Sequence, residues 1–139
     1  MTISQVRENT PLDQLRFLLD QADSRVGGLN TGSAADALKV LRMLDEIEAL
    51  YNELSAADVD LRAEETRRET MQLTIQRKAG VALRLLRPQG GIAAIRSVQN
   101  PPASYWWWYL DVYVAQQRRK ALRELATTAV VLVAIVAVA

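Results

Sequence analysis

The last fifteen residues, Leu125 to Ala139, carry no charge, and only Thr127 and Thr128 among them are polar. Such a run must be covered by lipid or by protein. Crossing a hydrocarbon core takes about 20 residues, so the expectation is the start of a transmembrane helix cut before its far end. A buried core helix would suit the length alone. Two features favour the membrane. Arg118, Arg119, Lys120 and Arg123 stand immediately before the run, where a cytoplasmic flank carries its cations. A helix apolar all round, at the end of a small domain, also has too little protein about it to be covered on every side. The chain is therefore expected to be a single-pass membrane protein with its N-terminal part in the cytoplasm.

With 139 residues, one domain is expected, and half the residues are hydrophobic, enough for a small core. Six glycines and four prolines speak against a turn-rich β protein. The net charge of +1 lacks the cation surplus of a nucleic-acid binder. Residues 1–104 carry a net −1 and residues 105–139 a net +2, every cation of the latter being one of the four flanking the tail. There is no cysteine and no histidine. Thiolate zinc sites, disulfides, cysteine nucleophiles and histidine-based catalysis are thereby excluded from within this sequence. The cluster Leu12 to Leu19 is short and interrupted by Asp13, Gln14 and Arg16, unlike a signal-peptide core.

The periodicity is helical throughout. Thr10-Pro11 reads as a cap followed by a proline at the first helical position, and Leu12, Leu15, Leu19 and Ala22 give one apolar face. Gly27-Gly28 ends this helix, with glycine expected in a left-handed cap. Thr31 or Ser33 can cap a second helix, with Asp36 in its first turn and a stripe of Leu38, Leu41, Leu44, Ile47, Tyr51 and Leu54. Ser55-Ala56-Ala57-Asp58 has capping-box spacing. Beyond it, the polar residues 58–70 offer the pairs Asp58–Arg62 and Glu64–Arg68, and Met71, Ile75, Ala79, Ala82 and Leu86 form an apolar seam. Residues 33–87 are expected to be an antiparallel helical hairpin with a polar bend, the first helix packed across it. One long dimerising helix is the alternative. Arg87-Pro88-Gln89-Gly90-Gly91 is a break, residues 92–98 can form a short helix, and Asn100-Pro101-Pro102 is a second, extended break. From Ser104 the pattern is helical to the end. The resulting fold class is all-α: a small cytoplasmic helical domain (1–103), an aromatic and basic juxtamembrane helix (104–124), and the start of a transmembrane helix (125–139).

Tyr105-Trp106-Trp107-Trp108-Tyr109 is the most unusual stretch. Helical neighbours are about 100° apart, so three consecutive indoles cannot share one face. Trp106, Trp107, Trp108, Tyr109 and Tyr113 are the expected aromatic contact residues. An interfacial belt is disfavoured for a straight helix, because Trp107 lies about 27 Å before Leu125 at 1.5 Å per residue. Packing into the domain core is the first expectation. A helix lying flat on the bilayer is the second.

The carboxylates Asp45, Glu46 and Glu48, and Glu64, Glu65 and Glu69, are expected on solvated faces. A bundle metal site would need Glu-x-x-His pairs. Gly27-Gly28 and Gly90-Gly91 lack the pattern of a phosphate-binding loop. No cofactor, metal, nucleic acid or small-molecule substrate is expected, and no enzyme.

Residues 79–102, AGVALRLLRPQGGIAAIRSVQNPP, resemble the middle of a tetratricopeptide repeat: a small-residue-rich helix end, a turn at Gly90-Gly91, the pair Ala94-Ile95 and a closing proline. No second copy stands at a 34-residue period. More broadly, a helical region followed by PPASYWWWYLDVYVAQQRRKALREL and an apolar span is similar to bacterial membrane-anchored proteins with tetratricopeptide repeats beyond the span. That resemblance implies scaffolding or protein–protein binding without catalysis. The expected function is a membrane-anchored helical scaffold with the bilayer and a protein, or a second copy, as partners. The alternative is a soluble helical oligomerisation module whose tail packs in a partner subunit.

Overall fold

The computed structural model describes residues 10–138. Residues 1–9 of the expected helical domain, and Ala139 of the expected span, lie outside the described residues. The protein is all-α, with no strand among the described residues. Among the described residues six α-helices follow in order: α1 Pro11–Gly27, α2 Ala34–Ala56, α3 Arg62–Arg77, α4 Ala79–Leu86, α5 Ile92–Gln99 and α6 Leu110–Val138. Short 3-10 turns at Leu29–Thr31, Arg87–Gln89 and Trp106–Tyr109 connect them.

Local chemistry sets the starts. The Thr10 hydroxyl accepts from the Asp13 amide and Pro11 opens α1. At α2, Ser33 and Asp36 form a reciprocal capping box: the Ser33 hydroxyl accepts from the Asp36 amide, and the Asp36 carboxylate accepts from the Ser33 amide at 2.8 Å. Two donors with no intrahelical partner are thereby satisfied.

The ends carry more surprises. Gly28 closes α1 at φ −94°, outside the expected left-handed region. The C-terminal carbonyls are instead met from across the molecule: Lys78 Nζ donates to Val26 O at 2.8 Å. Ser55 to Asp58, where the spacing allowed either a new helix start or a continuous helix, ends a helix instead. Ala57 caps α2 and Asp58 takes the left-handed conformation at φ 58°. The Asp58 amide donates to Ser55 O and the Val59 amide to Leu54 O, the crossed pair of a Schellman motif, with Val59 against the core beside buried Leu54. A short polar side chain tolerates this backbone better than an apolar one. Asn100 likewise turns left-handed at φ 48° as the cap of α5, where an extended residue was expected before Pro101. At the α4–α5 link Gly90 and Gly91 have φ 91° and 86°, and a Cβ on Gly90 would stand 3.2 Å from Ala94 Cβ. The glycine pair is turn chemistry, as its sequence context suggested.

The break after α2 rules out one continuous helix over 33–87. The outgoing arm of the hairpin is the single helix α2. The return arm is divided at Lys78, which adopts φ −97°, ψ 11° between α3 and α4. The seam keeps its phase through that single residue: Met71, Ile75, Ala79, Ala82 and Leu86 are all buried. α1 packs along α2 and against α3, while α4 packs on α2 and α6. Leu15, Leu19, Ala22 and Val26 meet Val40, Leu41, Leu44 and Ile47 in one core, joined by the seam and by Trp107, Trp108 and Leu110.

Several charges expected to be solvated hold helices together. Glu64 is 4% exposed and takes Arg16 Nε on Oε1 at 2.9 Å. Arg68, expected to pair with Glu64, instead donates to Glu48 at 2.8 Å and lies 3.7 Å over the Tyr51 ring. Arg62, expected to pair with Asp58, forks onto Asp60. Arg67 bridges Asp20 and Asp23 of α1. Buried Glu64 needs such a partner, and Arg16, Arg67 and Arg68 each reach an acid on another helix, whereas Arg62 pairs locally. Glu46, Glu65 and Glu69 are exposed as expected.

Candidate functional site

Among the described residues one helix is long and apolar enough to cross a membrane, the one ending at Val138, and none of its apolar stretch is buried. Its root is the opposite. The chain enters from the break at Asn100, and Trp106–Tyr109 form a 3-10 turn before α6 begins at Leu110. The α-helix thus starts six residues later than the expected Ser104. In the tight turn two adjacent indoles converge on one acceptor. Trp107 Nε1 and Trp108 Nε1 each donate to Oδ1 of Asp45, both at 2.7 Å. Trp108 is fully buried and Trp107 nearly so. An indole removes roughly 200 Å² from water, on the order of 5 kcal/mol as an upper bound. That gain requires the Nε1–H to find an acceptor. Asp45 supplies it twice.

The rest of the root is equally held. Tyr105 stacks on Trp107 at 4.7 Å and Trp106 meets Trp107 edge-on at 5.6 Å. Tyr109 donates its hydroxyl to Pro101 O at 3.2 Å. Arg96, on α5, forks onto Asp111 with Nη1–Oδ1 at 2.7 Å and Nη2–Oδ2 at 3.2 Å, while Nη1 also donates to Trp108 O at 2.9 Å. Its guanidinium lies 4.8 Å over the Tyr109 ring. Asp111 holds the Arg96 guanidinium still further above its ordinary range by hydrogen bonding. Bidentate Arg–carboxylate pairs fix orientation as well as energy. Leu110 is buried, and Tyr113 and Val114 complete the contact with the core.

The expected aromatic contact residues Trp106, Trp107, Trp108, Tyr109 and Tyr113 are therefore brought together, and what they touch is the helical domain. The helix α6 runs without interruption from Leu110 to Val138. The expected flanking cations are placed apart from them. Every residue from 115 to 138 is exposed, a stem of about 36 Å at 1.5 Å per residue. Arg118, Arg119, Lys120 and Arg123 stand on that stem, none in an ion pair among the described residues. Beyond them Leu125, Val130, Val131, Leu132, Val133, Ile135, Val136 and Val138 are all more than half exposed. Both polar side chains in this run are satisfied within the helix: Thr127 donates to Arg123 O at 2.9 Å and Thr128 to Glu124 O at 2.8 Å.

The residues that fix the root, Asp45, Arg96 and Asp111, were missed by sequence reasoning. Asp45 carried one signal. It lies four residues after Leu41 and eight after Ala37, on the row bordering the buried stripe. Arg96 and Asp111 carried none.

No group of three or more metal-ligating side chains occurs among the described residues. No protein-family model, curated protein or solved structure matches the chain.

Proposed function

We propose that this protein is a membrane-anchored helical module: a non-catalytic head, carried on one bilayer-spanning helix, that holds other proteins at the membrane. One observation carries the reading. A single helix has its root clamped in the head by Asp45 and Arg96, and its remaining 115–138 stretch is uncovered by protein. Soluble monomers rarely expose contiguous apolar surface of this extent. Hydrocarbon satisfies it without cost to the backbone, because every amide bond stays within the helix and both threonine hydroxyls are back-bonded.

The cations of the stem sit between the head and the apolar run, so the head belongs on the cytoplasmic side by the charge bias of membrane insertion. The scaffold role rests on the head's construction, a small packed core whose helices are tied by the ion pairs of Arg16, Arg67, Arg68 and Arg96.

The test is membrane association of the full chain. It should float with lipid vesicles and stay with them through alkaline carbonate extraction. A chain left in the supernatant as a defined oligomer would instead support the soluble module whose tail is covered by a partner subunit.

A further inference from the structure

The four stem cations are not equivalent. Taking about 100° per residue, Gln116, Arg119, Lys120 and Arg123 fall within about 100° of one another on one face of α6, and they line a shallow depression on the helix surface. Arg118 falls about 150° away from the centre of that face. Glu124, the acid nearest in sequence, points about 90° to one side by the same geometry. None of the three clustered cations has an ion-pair partner among the described residues, whereas five of the ten described arginines of the head, Arg16, Arg62, Arg67, Arg68 and Arg96, do. Their Cα atoms lie about 3 to 9 Å along the axis before Leu125, within reach of the headgroup layer, since a bilayer is about 40–45 Å thick with headgroups against about 30 Å of hydrocarbon.

We infer that Gln116, Arg119, Lys120 and Arg123 form a docking site for the phosphate of an anionic phospholipid headgroup. This inference rests on the membrane reading above and deepens it. Three unpaired cations and an amide donor within two helical turns can converge on one phosphate, and guanidinium groups suit its oxygens bidentately. The neighbouring apolar run keeps the occupant a lipid, because it places the site at the depth where headgroups are and free anions are fewer. Since α6 is clamped to the head, a lipid held on this face also sets which side of the head turns toward the membrane.

The experiment compares uptake of the full chain by phosphatidylcholine vesicles and by equal mixtures with phosphatidylglycerol. The wild type should prefer the anionic vesicles, and R119Q/K120Q/R123Q should lose most of that preference. Each cation near an anionic surface is worth about fivefold. The relocation variant Q117K/K120Q keeps the net charge but takes one cation off the face, and should bind anionic vesicles several-fold more weakly than wild type. R118Q should lose less than K120Q. Equal binding by wild type and Q117K/K120Q would overturn the site, leaving only general charge attraction. Displacement by inorganic phosphate at matched ionic strength would overturn the lipid assignment. Equal insertion into both vesicle types would sink this inference while sparing the anchor, whereas no insertion into either would remove the anchor itself.

Discussion

Asp45 and Trp108 stand 63 positions apart in the chain, and the indole Nε1 of one donates to Oδ1 of the other at 2.7 Å. The same oxygen takes Trp107 at the same distance. One carboxylate on α2 therefore fixes the entry of the stem helix into the head. Asp45→Ala leaves two largely buried indole donors unsatisfied and should cost about 2–6 kcal/mol, since each such group costs roughly 1–3 kcal/mol. Asp45→Asn keeps an oxygen acceptor and should cost about half as much. Urea unfolding of the full chain in detergent micelles, followed by tryptophan emission, reads both. An Ala variant as stable as wild type would show that the indoles need no acceptor.

Arg96 and Asp111 make the second clamp. Both side chains are partly shielded, at 22% and 34% exposure, so their pairing should exceed that of a free surface pair yet fall short of a buried one. A double-mutant cycle with Arg96→Met and Asp111→Asn should give a coupling of about 1–2 kcal/mol. Arg96→Met alone should cost more than Asp111→Asn alone, because it also strips Trp108 O of its donor. Additive single effects would mean the fork contributes nothing.

Glu64 tests the cost of a buried acid. Arg16→Leu should destabilise the head by about 1–3 kcal/mol by leaving that carboxylate without its donor. Adding Glu64→Gln should recover part of the loss, because a neutral amide is less costly to bury than an unpaired charge. Thermal unfolding of the three chains decides it: no recovery in the double variant means the Arg16 stem matters for packing rather than for charge.

Much of this fold was legible in the sequence wherever one local rule acted alone. The Ser33 cap with Asp36, the Thr10-Pro11 start and the seam from Met71 to Leu86 follow from short spacing, and spacing is what a sequence displays. The failures share a cause. Ser55 to Asp58 has the residues of a helix start but serves as a helix end, because burying Val59 against Leu54 outweighs a cap whose own first turn would be solvated. Glu64 and Asp45 look like surface acids until Arg16 and the indoles arrive from 48 and 62–63 positions away. The aromatic run announced itself by composition, yet its partner was invisible, since a hydrogen-bond acceptor on a distant helix leaves no periodic trace.

Acid should loosen the start of α2. The backbone amide and hydroxyl of Ser33 hold the Asp36 carboxyl below its ordinary range, and Arg62 does the same for Asp60. A carboxylate whose pKa is depressed by folding contributes stability above its unfolded pKa and loses it as pH falls through the folded one. The wild-type urea midpoint should therefore hold from neutral pH to the ordinary carboxylate range and fall below it. In Asp36→Asn the midpoint should start lower at neutral pH and fall less steeply in acid. Parallel curves would dissociate Asp36 from the acid response.

Topology can be read directly because the chain has no cysteine. Ser24 lies exposed on α1, so Ser24→Cys places one thiol on the head without disturbing the clamp. If the cations of the stem hold the head in the cytoplasm, a membrane-impermeant maleimide should label this thiol in inverted vesicles and spare it in intact cells. Replacing Arg118, Arg119, Lys120 and Arg123 together by glutamine removes the charge bias that sets orientation. The same probe should then find part of the population labelled from outside. Full labelling of Ser24→Cys in intact cells, with the cations in place, would reverse the topology and move the partners of the head to the outer face.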